Sequence, residues 1–204
     1  VVRYLGADVR LVDIDPAMTE LSRTFAPLRD LNGDALSDPR VTVVKDDAMR
    51  WVETRQGPFD VIVVDFPDPN SFALGKLYTS RFYERAAACL APDGAMVVQA
   101  TSPLFARRAF WCVVRTIESA GLSARPYRCC VPSFGEWGFI VASAGPWSPP
   151  AAYPFELRFV SPQLHPALFT FPKDMSRVPA EVNRLNNQVL VQYFEGEWRR
   201  GSPE

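Results

Sequence analysis

The stretch that most constrains this chain is Phe59-Asp60-Val61-Ile62-Val63-Val64-Asp65-Phe66-Pro67-Asp68-Pro69-Asn70. Residues 61–64 are an uninterrupted, mostly β-branched apolar run, the pattern of a parallel strand buried on both faces. The strand has to stop at Asp65, because Pro67 and Pro69 remove backbone donors and exclude both ladder and helix. Asp65 and Asp68 therefore sit on a stiff turn at a strand's carboxyl end, the edge where open α/β sheets bind ligands. Two carboxylates fixed three residues apart suit a cationic substrate. An ordinary Asp-Pro turn is the competing reading.

Around this stretch, strand alternates with helix. Residues 9–16 form a strand ending in acids, with Asp15 as N-cap and Pro16 opening a helix to about residue 25. Residues 27–39, rich in Asp, Asn and Gly, read as a connector. Val41 to Val44 is a strand, followed by Asp46-Asp47 and a short helix carrying Trp51 and Val52. Residues 80–90 are helical, 91–94 turn, 95–99 form a strand, and 104–120 form a longer helix stopped by Gly121. Residues 122–128 and 137–142 finish as an antiparallel pair at the sheet edge. This alternation predicts an α/β fold with a parallel, doubly wound sheet.

The opening, Val1 to Gly6, reads as a last helical turn with Gly6 as its cap, so a fragment is expected, with a strand and a loop upstream. From Gly145 the composition shifts to a proline-rich linker and a tail holding Phe155, Phe159, Phe169 and Phe171. Residues 188–198 read as a terminal amphipathic helix. The tail has too few regular elements for its own core, so 145–204 is expected to extend a catalytic domain at 1–144.

A chain of 204 residues with 48% hydrophobic content can bury one good core. Lys and Arg number 22 against 23 Asp and Glu, a balance that offers no basic stripe for nucleic acid. No apolar run is long enough for a membrane span, and no signal peptide opens the sequence. Cys89, Cys112, Cys129 and Cys130 lack metal-ligand spacing and read as thiols in reduced, intracellular surroundings. No metal is expected. His165, the only histidine, reads as a surface or helix-end residue. Trp51 and Trp111 read as core, and Arg107-Arg108 as a solvated helix face.

Three strands thus end in carboxylates: Asp13 with Asp15, Asp46 with Asp47, and Asp65 with Asp68. A carboxylate after an early strand can accept from both ribose hydroxyls, a role expected for Asp13, whereas Asp15 is better explained as the cap. Asp47, followed by small Ala48, is either an acceptor for an adenine amino group or another N-cap. The glycine-rich loop of dinucleotide sites does not occur in this sequence.

Val12-Asp13-Ile14-Asp15-Pro16, Asp47-Ala48, the Asp65-x-x-Asp68-Pro69 turn, Leu90-Ala91-Pro92-Asp93-Gly94, Val97-Val98-Gln99 and Trp137-Gly138-Phe139 together resemble the polyamine aminopropyltransferases, or spermidine synthases. Two further stretches look like that family's membrane-fused branch. They are Asp68-Pro69-Asn70-Ser71 leading to Leu74-Gly75-Lys76-Leu77-Tyr78, and the tail from Val178 to Gln188. The resemblance implies a Rossmann-like, class I methyltransferase-type sheet, mostly parallel, with helices on both faces, antiparallel edge strands and a loop-rich tail. It implies Asp65 as proton acceptor, Asp68 as the acid holding the amine, and Gln99, Phe134 and Tyr78 as further substrate-binding residues. It implies Asp13, Asp47 and Ala48 for the nucleoside, with decarboxylated S-adenosylmethionine as co-substrate, putrescine as acceptor and no cofactor. The family's Gly-rich loop would lie before Val1, so this chain alone is expected to turn over poorly. A homodimer, an N-terminal membrane domain and a cytoplasmic position at the inner membrane are further expectations. A class I methyltransferase and a non-catalytic domain sensing polyamine or nucleotide are the alternatives.

Overall fold

The structure, a computed structural model, describes residues 6–54 and 56–201. The chain divides into two compact units, Val1–Gln56 and Gly57–Glu204. The helical reading of residues 1–5 lies outside the described residues; Gly6 has a left-handed φ of +57°.

In the first unit, strand β1 (Val9–Asp13) pairs in parallel with β2 (Val41–Lys45), Val9 opposite Val41 and Asp13 opposite Lys45. Helix α1 (Pro16–Thr24) starts where the sequence places it. The Asp15 carboxylate accepts from the amides of Ala17 at 2.9 Å and Met18 at 3.3 Å. Residues 27–39 differ from the expected connector, because they fold into helix α2 (Ala26–Asn32) and a 3₁₀ turn, Ala35–Ser37. The polar residues that suggested loop are punctuation instead. Asn32 donates to the Ser22 carbonyl at 2.9 Å and accepts from the Ala35 amide at 3.1 Å, while Gly33 ends the helix at φ +65°. Helix α3 (Ala48–Glu53) follows β2.

In the second unit, β3 (Phe59–Val64), β4 (Leu90–Gln99), β5 (Ser123–Val131) and β6 (Gly135–Ser143) form one sheet in the order β3-β4-β6-β5. β3 and β4 run parallel, while β6 is antiparallel to both β4 and β5. The expected antiparallel pair is therefore present, with β5 outermost. β3 occupies the opposite edge of this sheet. The face carrying Val61 and Val63 is uncovered, which corrects its reading as a strand covered on both faces: Val64 is 3% exposed, but Val61 is 52% and Val63 60% exposed. β4 also starts before the expected turn. Leu90 pairs with Phe59, and residues 91–94 bulge out before Ala95 pairs with Val61.

The helices of this unit are α4 (Phe72–Gly75), α5 (Ser80–Ala87), α6 (Arg107–Ser119), α7 (His165–Leu168) and α8 (Val189–Gly201). α6 starts three residues later than expected, because the Ser102 hydroxyl accepts from the amides of Leu104 and Phe105, both at 3.3 Å, and folds those residues into a turn. α6 is the centre of the core, with Phe110, Val113, Val114 and Ile117 fully buried. Gly138 on β6 lets it approach, since a Cβ there would overlap the Phe110 ring.

The tail packs on this helix. Asn183, fully buried, donates to the carbonyls of Gly75 at 3.1 Å and Tyr78 at 3.0 Å and accepts from the Leu190 amide at 3.3 Å. Its own amide donates to Thr116 Oγ1 at 2.9 Å. Arg107 and Arg108, read as solvated, are instead used in docking the tail. Arg107 Nε donates to the Ser176 carbonyl at 2.7 Å, and the Arg108 guanidinium lies 4.1 Å over the Tyr193 ring. His165 opens α7, buried, with Nε2 2.7 Å from the Tyr153 hydroxyl. Trp111 is core, Trp51 is half-buried, and Cys129 and Cys130 are free thiols.

Candidate active site

In the second unit β3 delivers the chain to Asp65, which is exposed, and then to the Pro67-Asp68-Pro69 turn. The prolines cannot donate, so the turn's carbonyls take side-chain donors. The Tyr78 hydroxyl shares its proton between the carbonyls of Phe66 at 3.2 Å and Pro67 at 3.0 Å. Gln99 Nε2 donates to the Phe66 carbonyl at 3.3 Å. The Phe66 ring stands edge-on to Tyr78 and Phe82, at centroid distances of 6.1 and 5.4 Å. Tyr78, expected to bind substrate, is thus spent on the turn; it is 1% exposed and lies beneath it. Burial first, and then the charges of Asp68 and Asp65, hold its phenol well above the usual range, so it stays a neutral donor.

Asp68 is half-buried, and burial pushes its carboxyl up to about 6. Among the described residues no donor reaches this carboxylate. It faces a cavity of about 490 Å³ with Pro67 and Gln99 beside it. Apart from Ser133, the other walls are aromatic: Phe105 from the turn before α6, Phe134 and Trp137 from the β5–β6 hairpin, and Trp198 from α8. Phe134 and Trp137 lie 5.2 Å apart, Phe105 and Trp198 5.8 Å. A lone carboxylate in a largely apolar cavity calls for a cation brought by the ligand.

The structure therefore brings Asp68, Gln99 and Phe134 to one cavity, with Asp65 on the same turn and outside the lining. Phe105 and Trp198 carry no motif in the sequence, whereas Trp137 stands in the Trp137-Gly138-Phe139 stretch. They converge only through the tertiary fold, and the amphipathic-helix reading of 188–198 is the one hint the sequence offers for Trp198.

In the first unit the parallel pairing puts the carboxyl ends of β1 and β2 side by side. Asp13 Oδ1 accepts from the Asp15 amide at 2.7 Å, and its backbone carbonyl accepts from the Asp46 amide at 3.2 Å. Asp13 Oδ2 accepts no hydrogen bond among the described residues. Asp47 caps α3, accepting from the amides of Met49 at 2.9 Å and Arg50 at 3.3 Å, with Ala48 as the first helical residue. Of the two alternatives for Asp47, the structure shows the cap, at the edge where β2 ends. Such an edge suits a ligand rich in hydroxyl donors.

The sequence model of the spermine/spermidine synthase domain matches residues 1–149. Polyamine aminopropyltransferase 2 of Ralstonia nicotianae is 50% identical over 192 residues, covering 93% of this chain and 38% of that protein. The polyamine aminopropyltransferase of Leptospira interrogans is 45% identical, covering 94% of this chain and 39% of that protein. The chain thus spans less than two fifths of the length of these relatives. Among solved structures, spermidine synthase from Thermotoga maritima superposes with a TM-score of 0.71 at 24% identity, over 86% of this chain and 62% of that one. A spermidine synthase in complex with the transition-state analogue AdoDATO gives a TM-score of 0.73 at 24% identity, over 86% of this chain and 64% of that one. Those two likenesses bear out the Rossmann-like fold, and the match over residues 1–149 settles descent: the chain belongs to the spermine/spermidine synthase family.

Proposed function

We propose that this chain carries aminopropyltransferase chemistry, moving an aminopropyl group from decarboxylated S-adenosylmethionine to putrescine to give spermidine and methylthioadenosine. The observation that supports it most is Asp68, a lone carboxylate in an aromatic cavity, three residues from the exposed Asp65. The named activity of the aminopropyltransferase relatives agrees.

A primary amine attacks only when neutral, yet its free pKa is about 10, near that of lysine. In this reading Asp65 accepts the proton as the nitrogen attacks the carbon beside the sulfonium. The carbon–sulfur bond breaks with its electron pair going to sulfur, which cancels the positive charge, so no acid is needed for departure. Asp68 holds the distal ammonium and orients the chain. The Asp13 carboxylate suits the donor's ribose hydroxyls, and Asp47 with Ala48 its adenine. No cofactor or metal takes part. A donor that kept its carboxylate would bring an anion toward acids, at a cost of several kcal/mol unless a cation met it. The proposal includes the membrane-fused type of family member, homodimeric and on the cytoplasmic face of the inner membrane. Among the described residues, no helix is itself long and apolar enough to cross a membrane.

The test incubates the natural full-length protein with putrescine and either decarboxylated or ordinary S-adenosylmethionine, and quantifies the nucleoside products. Methylthioadenosine and spermidine from the decarboxylated donor alone is the expected result. S-adenosylhomocysteine from the ordinary donor would replace this reading with a methyltransferase.

A further inference from the structure

Two residues that line the cavity beside Asp68 together as one wall have no role yet assigned. Phe105 and Trp198 lie 5.8 Å apart with their rings tilted by 33°, and Phe194 backs Trp198 at 5.7 Å. Both supports of this wall are specific. The turn carrying Phe105 is held by Ser102, which accepts from the Phe105 amide at 3.3 Å and donates to the Glu136 carbonyl at 2.6 Å, next to Trp137. Trp198 sits on α8, and its neighbour Glu197 reaches the start of α6. Glu197 Oε1 accepts from the Arg108 amide at 2.8 Å and Oε2 from the Ala109 amide at 3.0 Å. The N-cap position of α6 is Ala106, whose side chain caps nothing. Glu197 therefore supplies, from 88 residues away, the cap that α6 lacks.

We propose that Trp198, together with Phe105, is the specificity-determining end wall of the amine cavity, and that Glu197 is the positioning residue that holds it there. The reading rests on the aminopropyl-transfer function. Asp68 fixes one ammonium of a linear amine, and the ring faces flank its methylenes and attract any further ammonium. The indole then sets how much chain fits beyond the carboxylate. A short diamine packs against it, and a triamine meets it end-on.

The experiment measures putrescine and spermidine affinities by calorimetry, and kcat and KM for both amines as acceptors, in the natural full-length protein and its Trp198→Ala, Trp198→Phe and Glu197→Gln variants. Trp198→Ala is expected to move the spermidine-to-putrescine affinity ratio toward spermidine by about tenfold or more, the scale of a change in apolar pocket length. Trp198→Phe, which keeps an aromatic wall, shifts it less and covers the case in which the alanine variant fails to fold. Glu197→Gln is expected to raise the amine KM with an unchanged KM for the nucleoside donor, a split that a general loss of stability would not produce. An unchanged amine ratio in folded Trp198 variants overturns the inference. A wild-type protein that binds both amines but transfers no aminopropyl group overturns the functional reading alone, because the calorimetric ratio still tests the wall.

Discussion

Asp68→Asn should make the protein more stable at neutral pH while weakening its hold on amines. Burial raises the Asp68 carboxyl from 3.8 to about 6. Each pH unit of such a rise corresponds to about 1.4 kcal/mol between charged and neutral forms, so roughly two units set a ceiling of about 3 kcal/mol. The side chain is only half-buried, and solvent screening reduces this to about 1 kcal/mol. The sign follows from proton binding. An unfolded Asp ionises near 3.9 and the folded one near 6, so between these values the folded state holds more protons. Stability from this group therefore falls as pH rises from about 4 to about 6 and stays low above it. Asn carries no charge at any pH. Urea titrations at pH 4 and 7.5 should show variant and wild type equal at the lower pH and the variant ahead by about 1 kcal/mol at the higher, about 2–4 °C in melting temperature for a chain of this size. Amine binding restores the charged form, so calorimetry of the wild type near pH 6 in buffers of different ionisation enthalpy should register proton release. A variant less stable at pH 7.5, or a gap independent of pH, would refute the idea that Asp68 is held against its own solvation.

The other acid of the turn should behave differently. Asp65→Asn is expected to lower kcat by roughly 10²–10⁴, with partial rescue at high pH where more amine arrives neutral; unchanged turnover in a pH–rate profile would remove Asp65 as proton acceptor. Tyr78→Phe deletes the donor shared by the Phe66 and Pro67 carbonyls, at a cost of about 1 kcal/mol. It should lower kcat by loosening the turn while leaving the donor KM alone, and a rise in amine KM without a change in stability would return Tyr78 to the substrate-contacting set.

What could be read in the sequence was what neighbouring residues decide. An apolar run closed by Pro67 and Pro69 fixes where β3 ends and places both acids after it, and Asp15 before Pro16 is a local cap signal that the structure reproduces. Residues 26–32 defeated the same reasoning, because Asn and Gly mark a helix end as readily as a loop. The exposure of Val61 and Val63, on one face of β3, depends on what packs on that face, which is not written in a run of valines. Arg107 and Arg108 look solvated on a helical wheel; only the folded tail shows what they meet. The candidate site divides likewise. Asp65 and Asp68 stand within one motif, but the aromatic walls come from residue 105, the hairpin residues 134 and 137, and residue 198, three segments that nothing local brings together.

The Asn183 bridge orders these events in time. Its bonds to the Gly75 and Tyr78 carbonyls span 108 and 105 residues, and they steady the segment whose tyrosine braces the acid turn. During synthesis at roughly 5–20 residues per second, Asp68 leaves the ribosome on the order of ten seconds before Trp198 does. For that interval the carboxylate has neither its aromatic walls nor a braced turn, and it behaves as an ordinary surface acid. Until α8 docks, the cavity beside Asp68 lacks the wall that Trp198 supplies. A product that stops before residue 183 carries Asp65 and Asp68 without the Asn183 bridge and without Trp198 on the cavity wall.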